Sequence, residues 1–255
     1  KLLIVATLGL YTFAVEFAAV VTSEIAQPIS RAVYPALSKL QSNADEVRTL
    51  FRRSMGLTIL VVAPLGVGLG LVAEPAVAFL LGEKWSGIAP ILTIIVLYGI
   101  VRTFFELMAP PFYILERPDL PLKLNVLNLI LRLATLIVAL QFLTFIGTLW
   151  ALTAAGVVQL AIVAYTFDRF GVLSFGDFLG CIWRPAMGCA CMALMLNGLY
   201  PFALSQPGLQ LVSMVATGAV IYASTIAGLY WIFARDTDCA ELGVLRLLQR
   251  LNWPG

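Results

Sequence analysis

Long apolar runs alternate with short polar intervals along the whole chain. A helix needs about 20 mostly apolar residues to cross a hydrocarbon core of about 30 Å. Runs of that kind fall at roughly 4–27, 55–81, 88–113, 122–143, 147–167, 182–202 and 208–233. Segments such as ILTIIVLYGI and LATLIVAL are apolar on every side, whereas the strands of a membrane barrel alternate apolar and polar positions. The pattern therefore predicts an all-α fold, a polytopic transmembrane helix bundle of about seven spans.

The polar intervals add detail. SNADEVRTLFRR places Ser42 or Asn43 ahead of Asp45 and Glu46, an N-capped amphipathic stretch expected to lie along the membrane surface before the second span. In ERPDLP, Pro118 and Pro121 block helix continuation. FIGT reads as a very short turn that makes spans four and five an antiparallel hairpin. LSFGDFLGCIWRP reads as interfacial, with Trp183 and Arg184 at headgroup depth. The tail ELGVLRLLQRLNW has helical spacing and predicts a short surface helix.

Basic residues gather in alternate intervals. Lys39, Arg48, Arg52 and Arg53 sit in the first, Arg117 and Lys123 in the third, Arg169 and Arg184 in the fifth, and Arg235, Arg246 and Arg250 in the tail. The intervening connections hold only Lys84. Cytoplasmic loops carry the Lys and Arg excess, so residue 1 is expected outside and the C-terminus in the cytoplasm. The chain starts at Lys1 with an apolar stretch that lacks a basic n-region and a small-residue cleavage site. It reads as a chain without its natural N-terminal part rather than one with a signal peptide.

Composition agrees with lipid as the solvent: 61% of the 255 residues are apolar and 12% charged, against about 45–50% and 25% in soluble domains. A net charge of +2 excludes a nucleic-acid reader, which needs a strongly basic face. No histidine is present, which removes imidazole metal sites and Ser-His-Asp triads. Cys181, Cys189, Cys191 and Cys239 show no C-x-x-C spacing and read as apolar packers, not as a disulfide or metal framework. No phosphate-cradling G-x-x-x-x-G-K-[ST] loop occurs, and neither a metal nor another cofactor is expected.

Charges inside spans are costly and usually face a bundle interior or a wet cavity. Arg132 sits near the middle of the fourth span, with Asn125, Asn128 and Thr135 on nearly the same face. That stripe is either a substrate cavity or a structural hydrogen-bond seam. Arg102 and Glu106 are four apart in the third span, ahead of Pro110 and Pro111, which are expected to break the helix. The pair either neutralises itself locally or re-pairs when a transport state changes. Glu16 lies mid-membrane in the first span, with Glu24, Gln27, Pro28 and Arg31 further on. Its carboxylate is a candidate for proton or cation coupling, or a structural partner for a basic group such as Arg132. Pro64 and the run Gly66, Gly68, Gly70 mark a loosened or closely packed second span.

Three segments resemble the polysaccharide biosynthesis and export flippases of the multidrug/oligosaccharidyl-lipid/polysaccharide exporter superfamily. The family's G-x-Y helix and P-x-L-S element correspond to Gly9, Tyr11, Pro35, Leu37 and Ser38. Its A-x-x-x-V-x-x-L-L-G-x-x-W element corresponds to Ala73, Val77, Leu80, Leu81, Gly82 and Trp85. The match is most specific over residues 8–98. This resemblance implies an inner-membrane flippase that moves polyprenyl-diphosphate-linked oligosaccharides outward by alternating access between two related lobes, for O-antigen, capsule or exopolysaccharide.

On that resemblance the chain corresponds to the second, C-terminal lobe. Residues 1–203 would form a partial bundle, 204–234 an additional transmembrane helix and 235–255 a cytoplasmic amphipathic tail. The missing N-terminal half would be a partner, together with membrane lipid, the lipid-linked oligosaccharide, a polysaccharide polymerase and glycosyltransferases. Arg132, Asn125, Asn128 and Arg102 are the substrate-cavity candidates, and Glu16 and Glu106 the ion-coupling candidates. The alternatives are an exporter of another cargo, lipid II or a drug, or a membrane-embedded glycosyl- or phosphotransferase. Hydrophobic-cation exporters call for acidic cavities. Membrane transferases call for clustered carboxylates, usually with a metal, and Asp45, Glu46, Asp236 and Asp238 form no such site, so no enzyme is expected.

Overall fold

A computed structural model describes residues 9, 11–20, 22, 44–114, 117, 119–199 and 207–232. The motif residues Pro35, Leu37 and Ser38, the polar end of the first span from Glu24 to Arg31, Pro118 and the tail helix with Cys239 lie outside the described residues. The described elements are helical: α1 (Tyr11–Val20), α2 (Ala44–Leu71), α3 (Ala73–Leu80), a 3-10 turn (Glu83–Trp85), α4 (Ile88–Ile114), α5 (Asp119–Phe142), α6 (Phe145–Arg169), α7 (Phe175–Leu199) and α8 (Pro207–Ile232). Six of them are long and apolar enough to cross a membrane, and the shorter α1 lies within the first predicted span. The chain is a multi-pass helical bundle.

The expected surface stretch before the second span is instead the start of α2. Val47, Phe51, Met55 and Ile59 recur every four residues and are all buried, so one apolar stripe runs from the amphipathic segment into the span. At 28 residues and 1.5 Å per residue α2 is about 42 Å long, enough for its acidic first turn to clear the hydrocarbon. The second predicted span is also split, because α2 stops at Leu71 and α3 begins at Ala73. Pro75 has no N–H to give the Leu71 carbonyl. The loosened end of α2 is tied to α4, whose Thr93 hydroxyl donates to the Gly70 carbonyl at 3.1 Å. Gly82, in the family motif, closes α3 at φ 87°, a conformation that favours glycine.

Other boundaries shift for local reasons. The α5–α6 hairpin turns at Leu143–Thr144, and FIGT forms the first turn of α6, because the Thr144 side chain accepts from the Gly147 N–H at 3.3 Å as an N-cap. Pro121 lies in the first turn of α5, where its missing N–H costs nothing. Pro110 and Pro111 do not break α4, which continues to Ile114; both fall in its last turns. The segment read as interfacial starts α7. Ser174 caps it, accepting from the Asp177 N–H at 3.1 Å, and Arg184, expected at headgroup depth, is buried at 6% exposure with its guanidinium 5.4 Å from the Trp183 ring centre.

Packing runs from neighbour to neighbour in the order α5, α6, α4, α2, α7, α8, with α3 bridging α4 and α8. Among the spans α4 is the most buried, while α5 and α8 are largely exposed and present Leu129, Ile130, Leu133, Ile137, Val212 and Val220 outward. An aromatic core closes the end that carries most of the arginines: Phe51 and Phe112 both stack on Phe167, at 5.5 and 4.9 Å. The other end is packed by α1, α3 and the first half of α4 around Ala14, Ala18, Val77 and Ile88.

Candidate functional site

Two glycines set the walls of a cavity beside α4. At Gly99 a Cβ would stand 2.9 Å from the Thr22 side chain, and at Gly156 one would stand 3.2 Å from Val101. Only glycine lets α1 and α6 approach α4 so closely. Between α1, α4, α5 and α6 a space of ≈ 300 Å³ remains, lined by Tyr11, Tyr98, Arg102, Arg132 and Thr153 among apolar neighbours. Thr22 and Thr153 donate their hydroxyls to the carbonyls four residues back, at 3.0 and 2.9 Å, so the polar lining is dominated by guanidinium and phenol groups.

The two arginines are held differently. Arg102 Nε donates to Glu106 Oε1 at 3.0 Å one turn along α4, so its charge is balanced on its own helix. Arg132 reaches from α5 and lays its guanidinium 5.2 Å from the centre of the Tyr98 ring. Among the described residues no carboxylate pairs with it. The ring face supplies a partial negative potential but leaves the guanidinium's net charge and most of its five donors available. Such a group in a low-dielectric wall attracts an anion strongly.

The remaining candidates do not share the cavity lining. Asn125 is exposed, and Asn128 and Thr135 are half-buried; the Asn128 Oδ1 is buried without a hydrogen-bond partner among the described residues. A neighbouring seam joins α5 to α6, where Gln159 Nε2 donates to the Leu124 carbonyl at 3.3 Å. Glu16 is exposed on α1, and Glu106 lies one turn beyond Arg102. Sequence reasoning missed Tyr98 and Tyr11. The signal for Tyr98 was its place four residues before Arg102, which puts Tyr98, Arg102 and Glu106 on one face. Tyr11 is the tyrosine of the G-x-Y motif, and its ring meets Phe145 edge-on at 6.3 Å.

A second, polar space of ≈ 380 Å³ lies at the arginine-rich end, between the starts of α2 and α7 and the end of α6. Its charges are already matched. Arg52 donates to Asp177 at 2.9 Å, Ser174 donates to the same carboxylate at 2.8 Å, and the Phe175 N–H donates to Asp168 at 3.2 Å. These bonds fasten α7 to α2 and α6.

Comparison with known proteins places this fold in context. The family profile described as polysaccharide biosynthesis protein matches residues 1–90. The chain is 24% identical to the lipopolysaccharide biosynthesis protein WzxC of Escherichia coli (strain K12), over 84% of this chain and 40% of that protein. It is also 24% identical to the teichuronic acid biosynthesis protein TuaB of Bacillus subtilis (strain 168), over 84% of this chain and 45% of the other. The chain thus spans less than half the length of these curated relatives. Among solved structures, the lipid II flippase MurJ in an inward closed conformation superposes with a TM-score of 0.70 at 17% identity, over 89% of this chain and 48% of that one. The fold is therefore that of about half of a known lipid flippase, and the chain is a multi-pass membrane protein similar, over residues 1–90, to the polysaccharide biosynthesis protein family.

Proposed function

We propose that the chain forms one lobe of a flippase that moves polyprenyl-diphosphate-linked oligosaccharides across the bacterial cytoplasmic membrane by alternating access, with its C-terminus in the cytoplasm. The observation that carries this reading is the cavity holding Arg102 and Arg132, the latter without a carboxylate partner among the described residues. A lipid-linked diphosphate is a dianion whose phosphate oxygens the planar guanidinium groups recognise by paired hydrogen bonds. In this reading Arg132 leaves the Tyr98 ring for the diphosphate, Arg102 follows by exchanging Glu106 for it, and the sugars meet Tyr11 and Tyr98. The polyprenyl tail stays in lipid. Glu106, released from Arg102, and Glu16, on the adjoining helix, are the carboxylates that would take up the coupling proton or cation. The other lobe completes the cavity, and a polysaccharide polymerase and glycosyltransferases act before and after it.

Replacing Arg132 with alanine in the full protein is expected to lower surface polysaccharide at least tenfold (about 1.4 kcal/mol or more of lost recognition) while membrane insertion is unchanged. Normal polysaccharide in that variant would sink the cavity assignment. For coupling, transport in vesicles should respond to a collapsed proton or sodium gradient, and the response should disappear in Glu106→Gln or Glu16→Gln. An undiminished response in both removes these carboxylates from the mechanism. The fold likeness to a lipid II flippase supports a second cargo with the same diphosphate and a different glycan. Competition between the two lipid-linked glycans for the purified protein separates them.

A further inference from the structure

A proline within a helix leaves the carbonyl four residues earlier without its donor. In α2 Pro64 leaves the carbonyl of Leu60 in that state, about 24 Å along the helix from Ala44 and thus inside the bilayer, where no water substitutes. The donor comes from another helix: the Tyr222 hydroxyl of α8 donates to the Leu60 carbonyl at 2.9 Å. Between them lies α7, and the tyrosine ring passes it at Gly188, where a Cβ would stand 2.7 and 2.9 Å from two ring carbons. Three residues on three helices thus serve one hydrogen bond. We infer that Pro64, Gly188 and Tyr222 form an interhelical lock, in which the proline exposes the acceptor, the glycine opens the path and the tyrosine supplies the donor that holds α8 on α2. Below it, Met192 and Leu196 of α7 and Met214 of α8 pack with Val72 and Ala76 and give the tyrosine a fixed base.

The lock differs from ordinary packing in one measurable way, because the value of the tyrosine hydroxyl depends on the proline. Thermal unfolding of the full chain in detergent should show Tyr222→Phe lowering the midpoint by about 2–4 °C, the effect of one net hydrogen bond in a chain of this size. In the Pro64→Ala background, where α2 supplies its own N–H, the same substitution should shift the midpoint by about 1 °C or less. Equal shifts in both backgrounds, or no shift in the first, would overturn the lock. Gly188→Ala tests the path without altering α2. It should lower the midpoint while Tyr222 is present and produce no further loss on top of Tyr222→Ala. Additive losses would overturn the inference by this second route.

Discussion

Arg132 shows how much one residue's meaning depends on what faces it. Its place in the middle of an apolar run marks it as costly, and that was readable from spacing alone. The Tyr98 ring that receives it was not, since α4 and α5 meet only in three dimensions. The same is true of Asn125 and Asn128, which share Arg132's helical face yet stay out of the cavity lining, to which α5 contributes only Arg132. Cation–π contacts contribute about 0.5–2 kcal/mol depending on desolvation. If the ring's function is to seat the guanidinium, Tyr98→Phe should leave surface polysaccharide near the normal level, and Tyr98→Leu should reduce it by between about two- and thirtyfold. Equal loss in both variants would assign the effect to the hydroxyl instead.

At the scale of elements, apolar runs mark where most helices lie, while their starts and breaks depend on caps and on contacts between helices. The four-residue stripe from Val47 to Ile59 was visible, yet the polar residues between its members invited a separate surface helix. Pro110, Pro111 and Pro121 sit in terminal turns and break no helix, whereas Pro75, at the start of α3, parts it from α2. The glycine run of α2 suggests either a loosened or a closely packed span, and at Gly66 the packing is close, since a Cβ there would stand 2.6 Å from Ile100 of α4. Gly99, Gly156 and Gly188 make further close approaches that the sequence pattern does not separate from the other glycines. Gly99 carries a direct prediction. Its added methyl would meet Thr22, whose hydroxyl is committed to the Ala18 carbonyl and cannot swing away freely. Gly99→Ala should therefore destabilise the protein by about 1–3 kcal/mol through overpacking, and Thr22→Ala in the same chain should recover part of that loss. An additive loss in the double variant, measured by thermal unfolding, would show that α1 does not rest on α4 at this point.

For the whole molecule, the alternation of basic and neutral intervals and the packing of the helices make separate claims. Between the 3-10 turn at Glu83–Trp85 and the start of α5 the chain crosses once, through α4. Glu83 and Lys123 must then lie on opposite sides of the membrane whatever the orientation, whereas the positive-inside rule adds that Lys123 is the cytoplasmic one. Both side chains are accessible, Lys123 at 71% exposure even while it pairs with Asp119 at 2.9 Å, and Glu83 in an exposed turn. After the native cysteines are changed to serine, Glu83→Cys should react with a membrane-impermeant maleimide in intact cells, and Lys123→Cys only once the membrane is opened. Labelling of both from one side would contradict the crossing by α4. Labelling in the reverse order would keep the fold and invert its orientation, and with it the side of the membrane that the arginine-rich end of the bundle faces.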